Sequence, residues 1–121
     1  MGSQVSWFDI PVQDLDRAIR FYSAVLDCRI SHERATSGLI GVIEHSDGDI
    51  AGALFCKEGY APSAQGVLLY LNVNGRLAEA VARVRQHQGH VLREVHAISP
   101  WGYRALVLDS EGNRIALHSY H

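Results

Sequence analysis

One pattern of strand, helix and three further strands occurs twice in this chain, and the duplication limits the possible folds more than any other feature. Val12 and Val73 stand 61 residues apart, as do Ile30 and Val91; Gly48 and Gly112 stand 64 apart, which points to a longer second hairpin loop. In the first copy, Val5 to Val12 is short, rich in large and β-branched residues, and closed by Pro11, as suits a strand. Leu15, Ala18, Ile19, Tyr22, Val25 and Leu26 then recur at helical spacing behind Asp14, an N-cap residue. Cys28 to Arg34, Leu39 to His45 and Ile50 to Cys56 read as strands, the last two joined through Asp47-Gly48, a dipeptide suited to the positive φ angles of a tight turn.

The second copy has a strand from Val67 to Val73 and a helix from about Gly75 to Gln88 that stops at Gly89. Its three strands are His90 to His96, Tyr103 to Leu108 and Asn113 to His118. A unit repeated only twice argues for one pseudo-symmetric domain over a solenoid, which needs more repeats to bury its faces. The expected fold class is α+β: two tandem βαβββ modules forming a cupped mixed sheet with the helices on the convex side. A single domain spans 1–121, with module one at about 4–57, a linker at about 58–65 and module two at about 66–121.

The composition supports one globular core, with 121 residues of which 47% are hydrophobic and 20% charged. Eleven Lys and Arg against thirteen Asp and Glu leave a net charge of -2. No field of one sign is present to draw the chain to nucleic acid or to an anionic membrane, so neither partner is expected. The apolar runs fall far short of the roughly 20 residues that cross a bilayer, and no basic-then-apolar leader opens the sequence. A soluble, cytoplasmic protein is expected. Cys28 and Cys56 lack the number and spacing of a disulfide scaffold or zinc site and read as two thiols.

Strand alternation sorts the side chains between the two faces. Phe8, Ile10 and Val12 belong to the helix-facing row, which turns Trp7, Asp9 and Pro11 toward the cup. In the second module Leu69, Leu71 and Val73 face the helix, while Leu68, Tyr70 and Asn72 face inward. In the last strand Ile115 and Leu117 enter the core and Arg114, Ala116 and His118 point the other way.

The run Ile10-Pro-Val-Gln-Asp-Leu-Asp-Arg-Ala-Ile-Arg-Phe-Tyr-Ser-Ala-Val-Leu26, paired with Leu108-Asp-Ser-Glu-Gly-Asn-Arg-Ile-Ala-Leu117, resembles the glyoxalase/bleomycin-resistance/extradiol-dioxygenase family, also called the vicinal oxygen chelate superfamily. The resemblance covers nearly the whole chain. For the metalloenzymes of that family it implies a divalent ion in the cup, held by ligands from the first and last strands of each module. Carried over, those positions fall on Trp7, on Leu68, on Ala116 and near Ala53, none of which offers a lone pair to a metal. No metal or other cofactor is therefore expected. The resemblance also implies a two-fold homodimer, which the sheet edges exposed by so short a chain favour as well, through the first-strand edges and the rim near Trp101.

The expected function is binding of a small, partly aromatic or carbonyl-bearing molecule in the cup, either by a binding module or by a metal-independent isomerase or lyase. Trp7, Leu68, Tyr70, Asn72, Arg104, Arg114 and Ala116 are the candidate ligand-binding residues. His118 and Asp9 are the candidate acid/base pair, His118 because an imidazole can both give and take a proton. Asp9 has a structural alternative, an ion pair with Arg104 or Arg114. His118 has one too, as a frayed C-terminal residue. The remaining alternative is a divalent-metal-dependent lyase or dioxygenase with relocated ligands, drawn from His45, His96 or His118 with Asp9 or Glu44. The loop Lys57 to Gln65 is a linker or a cover for the cup mouth.

Overall fold

Asp14 sets the first helix by accepting a hydrogen bond from the Arg17 amide at 3.0 Å, so the chain leaves one strand and turns at once into α1 (Leu15–Leu26). That strand is β1 (Trp7–Pro11), and the helix ends where Asp27 adopts the left-handed conformation with φ 52°. The module continues through β2 (Ile30–Ala35), β3 (Gly38–Ile43) and β4 (Ala51–Phe55). The second module follows as β5 (Leu69–Asn72), α2 (Leu77–Gln86), β6 (His90–Ala97), β7 (Tyr103–Leu108) and β8 (Arg114–Ser119). The structure is a computed structural model and describes residues 2–36 and 38–121.

Each module makes one mixed sheet of four strands, in the order β1-β4-β3-β2 and β5-β8-β7-β6. In both, the first and last strands of the module pair in parallel and the other neighbours are antiparallel. This is the α+β architecture read from the repeat. Val67, placed in a strand by its sequence, instead precedes β5 and is 93% exposed.

Two turn assignments differ from the sequence reading. The β3–β4 connection is the longer of the two equivalent loops, running from Glu44 to Ile50 against Asp109 to Asn113. Asp47-Gly48 sits at its tip, where the Asp49 amide bonds to the Ser46 carbonyl at 3.1 Å and only Gly48 has positive φ. The offset between modules therefore does not grow in that hairpin. It grows earlier, because β6 and the loop after it are longer than β2 and its loop. Gly89 does not serve as the left-handed stop of α2 either, since Gln88 takes that conformation with φ 73°. Gly89 is needed for closeness: a Cβ there would lie 2.6 Å from the Phe21 ring and 2.7 Å from the Leu108 carbonyl oxygen.

One core serves both modules, with Ile10, Phe21, Tyr22, Val25 and Leu54 from the first meeting Val73, Val84, Ile115 and Leu117 from the second. The helices pack on each other. At that contact Arg76 and Arg83 donate to the Val25 and Ala24 carbonyls, each at 2.7 Å, so α2 supplies donors and positive charge to the end of α1 where carbonyls lack helical partners.

A polar strap closes the same boundary. The buried Tyr22 hydroxyl donates to Asp109, whose carboxylate also accepts from the Asn113 side chain and from the Glu111 and Asn113 amides. The Asn113 side chain reaches back to the Pro11 carbonyl at 2.8 Å. Beside it Arg17 holds Glu111 through two bonds of 2.7 and 2.8 Å. Burial by itself pushes the Glu111 carboxyl up, but donors from Arg17, Asp14, Ser110 and Gln13 outweigh it and bring the pKa down to about 2.

Candidate functional site

The strand register turns the repeat into a map of equivalent positions. The Val12 amide bonds to the Phe55 carbonyl and the Val73 amide to the His118 carbonyl, so Phe55 and His118 correspond across the modules. By the same register Asp9, beside Ala53, corresponds to Tyr70, beside Ala116. Ile40 faces Phe55 across the first sheet as Arg104 faces His118 across the second. These residues belong to the row that points away from the helices, and the two rows have opposite chemistry.

The outward face of module one is aromatic and apolar around β1 and β4, with Ser31 and Glu33 on the outward side of β2. Trp7, Ile40, Phe55 and Tyr60 line a cavity of about 370 Å³ with Asp9 and Lys57 at its polar margin. The Phe55 and Tyr60 rings meet edge to face at 5.3 Å, and the Lys57 ammonium lies 5.7 Å from the Tyr60 centroid. The Trp7 indole N–H donates to Asp9 at 2.7 Å, which fixes the indole, and Trp7 as a whole is 44% exposed.

The outward face of module two is polar. Arg104 donates from Nε to His96 Nε2 at 3.0 Å and from a terminal nitrogen to the Tyr70 hydroxyl. His96 Nδ1 lies 2.8 Å from the Glu94 carbonyl oxygen. Both nitrogens of that ring thus have defined roles: Nδ1 donates its proton to the carbonyl and Nε2 accepts from arginine. His118 Nε2 lies 2.6 Å from the Trp101 carbonyl oxygen, and the His118 ring packs edge to face between Tyr70 at 6.0 Å and Tyr120 at 4.6 Å. A carbonyl can only accept, so Nε2 carries the proton and the neutral ring has its lone pair on Nδ1.

The structure therefore brings Tyr70, Arg104 and His118 together, with Asn72 beside His118 in the register. It does not bring His118 to Asp9 within one chain: His118 bonds to Trp101 and Asp9 to Trp7. His118 lies inside β8 and is not a frayed end. Asp9 has no arginine within ion-pair distance among the described residues. Arg114 stands apart from the Arg104 group, donating to the Gly66 carbonyl at 3.1 Å, with its buried Nε lacking a partner. Asp9 and Arg114 line one crevice of about 280 Å³ without pairing. Leu68 is half-buried just before β5, and Ala116 is wholly covered, a floor between Tyr70 and Leu106.

Phe55, Ile40 and Tyr60 were not singled out from the sequence, although strand alternation in the third and fourth strands of module one contained the signal for the first two. His96, one of the alternative metal ligands, is by its geometry the partner of Arg104. Cys28 borders a cavity of about 450 Å³ between the modules that Tyr70 and Asn72 also line; burial, with Glu44 nearby, pushes its thiol up and disfavours the reactive thiolate.

A divalent ion does not fit the positions that the fold offers for one. The side chains of Trp7, Leu68, Ala53 and Ala116 hold no lone pair for a metal, and the carboxylate beside Trp7 and Ala53, Asp9, accepts from the Trp7 indole. Among the described residues no group of three His, Cys, Asp or Glu side chains converges elsewhere. Nor is any described helix long and apolar enough to cross a membrane.

Solved structures share this architecture. A glyoxalase/bleomycin resistance protein from Albidiferax ferrireducens is 19% identical, with 97% of this chain and 98% of that one covered and a TM-score of 0.75. The fosfomycin resistance protein FosX from Mesorhizobium loti is 19% identical, with coverage of 98% and 93% and a TM-score of 0.69. TnmS3, an antibiotic binding protein from Streptomyces sp. CB03234, is 22% identical, with coverage of 97% and 95% and a TM-score of 0.67. At these identities the likeness shows the fold alone, and no curated protein matches the chain. The family model for the glyoxalase/bleomycin resistance protein/dioxygenase superfamily matches residues 4–117, nearly the full length, and the chain belongs to that superfamily.

Proposed function

We propose that this chain is a small-molecule-binding protein that works without a metal, and that its ligand is partly aromatic or carbonyl-bearing. One observation carries the reading: the outward rows of the two sheets form an aromatic wall with Trp7, Phe55 and Tyr60 and a polar wall with Tyr70, Arg104 and His118, while the metal-ligand positions hold Trp7, Leu68, Ala53 and Ala116. Apolar walls with a few oriented polar groups suit a drug-sized organic molecule. The antibiotic binding protein TnmS3 supports the same reading by its fold.

A two-fold homodimer completes this proposal. β1 and β5 are edge strands of separate sheets and are not hydrogen-bonded to each other, so each has an unpaired edge to offer a second copy. Trp101, 65% exposed at the rim, joins the contact. The two free thiols are consistent with a cytoplasmic location.

A second reading, a metal-independent isomerase or lyase, is favoured by His118: the Trp101 carbonyl orients its ring, and its Nδ1 lone pair is a base available to a bound substrate. The test of the leading reading uses protein purified without chelator. Elemental analysis is expected to find no stoichiometric nickel, zinc, iron or manganese. Titration of a Trp101→Phe variant with a panel of aromatic carbonyl compounds is expected to change Trp7 fluorescence saturably. A stoichiometric metal, or a panel that leaves Trp7 unmoved, overturns it. Light scattering that returns the mass of one chain at micromolar concentration overturns the dimer.

A further inference from the structure

Arg104 is the one side chain of the polar wall that is both cationic and held in place from two sides. Of the five N–H donors of a guanidinium, Nε–H goes to His96 and one terminal N–H to Tyr70, which leaves three, spread over both terminal nitrogens. Among the described residues no carboxylate pairs with Arg104. The outward row of module two, which also holds Arg93, His96 and His118, contains neither Asp nor Glu. Glu94, next in β6, bonds instead to Arg85 on α2. The charge on Arg104 is therefore uncompensated by this chain, and the plane of the guanidinium is set before any ligand arrives.

We infer that Arg104 is an oxyanion anchor: the ligand of the polar wall bears a carboxylate, phosphonate or phosphate group, and His96 is the positioning residue that aims Arg104 at it. A planar guanidinium with terminal N–H groups free matches two oxygens of such a group better than a lysine ammonium does. His96 acts through its lone pair. Its Nδ1 proton is held by the Glu94 carbonyl, so the ring turns Nε2 toward arginine and accepts from Nε–H, as glutamine at this position would and phenylalanine would not. The inference rests on the reading of this face as a ligand wall and narrows the ligand to an anion.

The experiment follows the Arg104 Nε–H resonance by NMR at about pH 8, where histidine is largely neutral. The probes are inorganic phosphate, benzoate and benzamide, the last matching benzoate in shape without its charge. Phosphate and benzoate are expected to shift the resonance saturably; with affinities of all variants read by titration calorimetry, Arg104→Met should weaken benzoate at least about tenfold while benzamide changes little. Arg104→Lys is expected to fall between. His96→Gln should stay within about twofold of the parent for benzoate and His96→Phe lose at least about fivefold, with both melting near the parent temperature.

An Arg104 resonance that no anion moves, or equal benzoate affinity in Arg104→Met, overturns the anchor. Equal affinities in the two His96 variants overturn the positioning role. Benzamide binding at the aromatic wall with no anion response sinks this inference and leaves the small-molecule reading standing. Anion binding at Arg104 with no response to either aromatic probe at Trp7 supports the anchor and removes the aromatic wall from the site.

Discussion

Module one and module two share a backbone and divide the chemistry between them. Where the first sheet places Ile40 opposite Phe55, the second places Arg104 opposite His118. The inner rows differ in another way. Phe8 lies beside Gly52 in the first sheet, and Leu69 beside Ile115 in the second, so a large residue with none beside it is exchanged for two of middle size. At the helix contact, Tyr22 of α1 reaches a buried carboxylate, while Arg83, 61 residues later on α2, reaches a carbonyl at the end of the other helix. Inner rows must keep total volume because a packed core resists both voids and crowding, whereas outward rows are free to diverge. The register of the first, third and fourth strands persists under both kinds of change, while β6 adds bulges that β2 lacks.

The asymmetry of the strap gives the largest expected effect. Asp109→Ala leaves the Tyr22 hydroxyl, the Asn113 side chain and two backbone amides without their acceptor in a buried site, and it should lower the unfolding free energy by about 3–5 kcal/mol. Chemical denaturation measures it. The matching position in module one by the same register, His45, is exposed and meets only the Ile43 carbonyl at 3.0 Å, so His45→Ala should be close to neutral. Similar losses in the two variants would mean that the modules are joined more symmetrically than the contacts show.

If the protein turns over a substrate, the division between the walls makes His118 the residue that moves a proton. His118→Gln keeps size and hydrogen bonding and should retain fold and ligand affinity, yet lower kcat at least about a hundredfold. An unaltered rate removes His118 from the chemistry.

The exchanged core pair can be tested by transplanting one module's solution into the other. A Cβ on Gly52 would sit 2.2 Å from the Phe8 ring, so Gly52→Ala should destabilise by about 1–3 kcal/mol and Gly52→Ile by more. The double variant Phe8→Leu with Gly52→Ile copies the second module and should recover most of that loss. A double-variant cycle showing no coupling would break the equivalence drawn from the register.

The smallest effect is a pH dependence. Glu111 has its folded pKa lowered to about 2 from the ordinary 4.5. Its contribution is therefore complete above the unfolded value and is lost as pH falls from about 4.5 toward 2. The stability gap between the parent and Glu111→Gln should narrow across that window. A constant gap would show that Arg17 and the backbone donors do not favour the ionised carboxylate.

Much of this was legible in the linear chain. The stripe from Leu15 to Leu26 behind Asp14 located α1, and alternation in Ile10-Pro-Val12 and Leu69 to Val73 separated helix-facing from outward residues. Turns were less legible. Asp47-Gly48 has the dipeptide of a tight hairpin but sits in a longer loop, because loop length follows from where strands must pair across the sheet. Gly89 looks like a helix stop and is held small by Phe21, which lies 68 residues away in sequence.

By itself the sequence determined the duplication, the α+β class and the parity of β1, β5 and β8. Those properties are local, set by period-two and helical patterning and by the identity of single side chains. Only the tertiary structure decided that Arg104 meets His96 and Tyr70, that His118 points its Nε2 at the Trp101 carbonyl, and that Asp9 bonds to Trp7 instead of an arginine. Each of those pairs depends on strand register, bulges and loop lengths acting together, and a shift of a single residue moves every side chain to the opposite face.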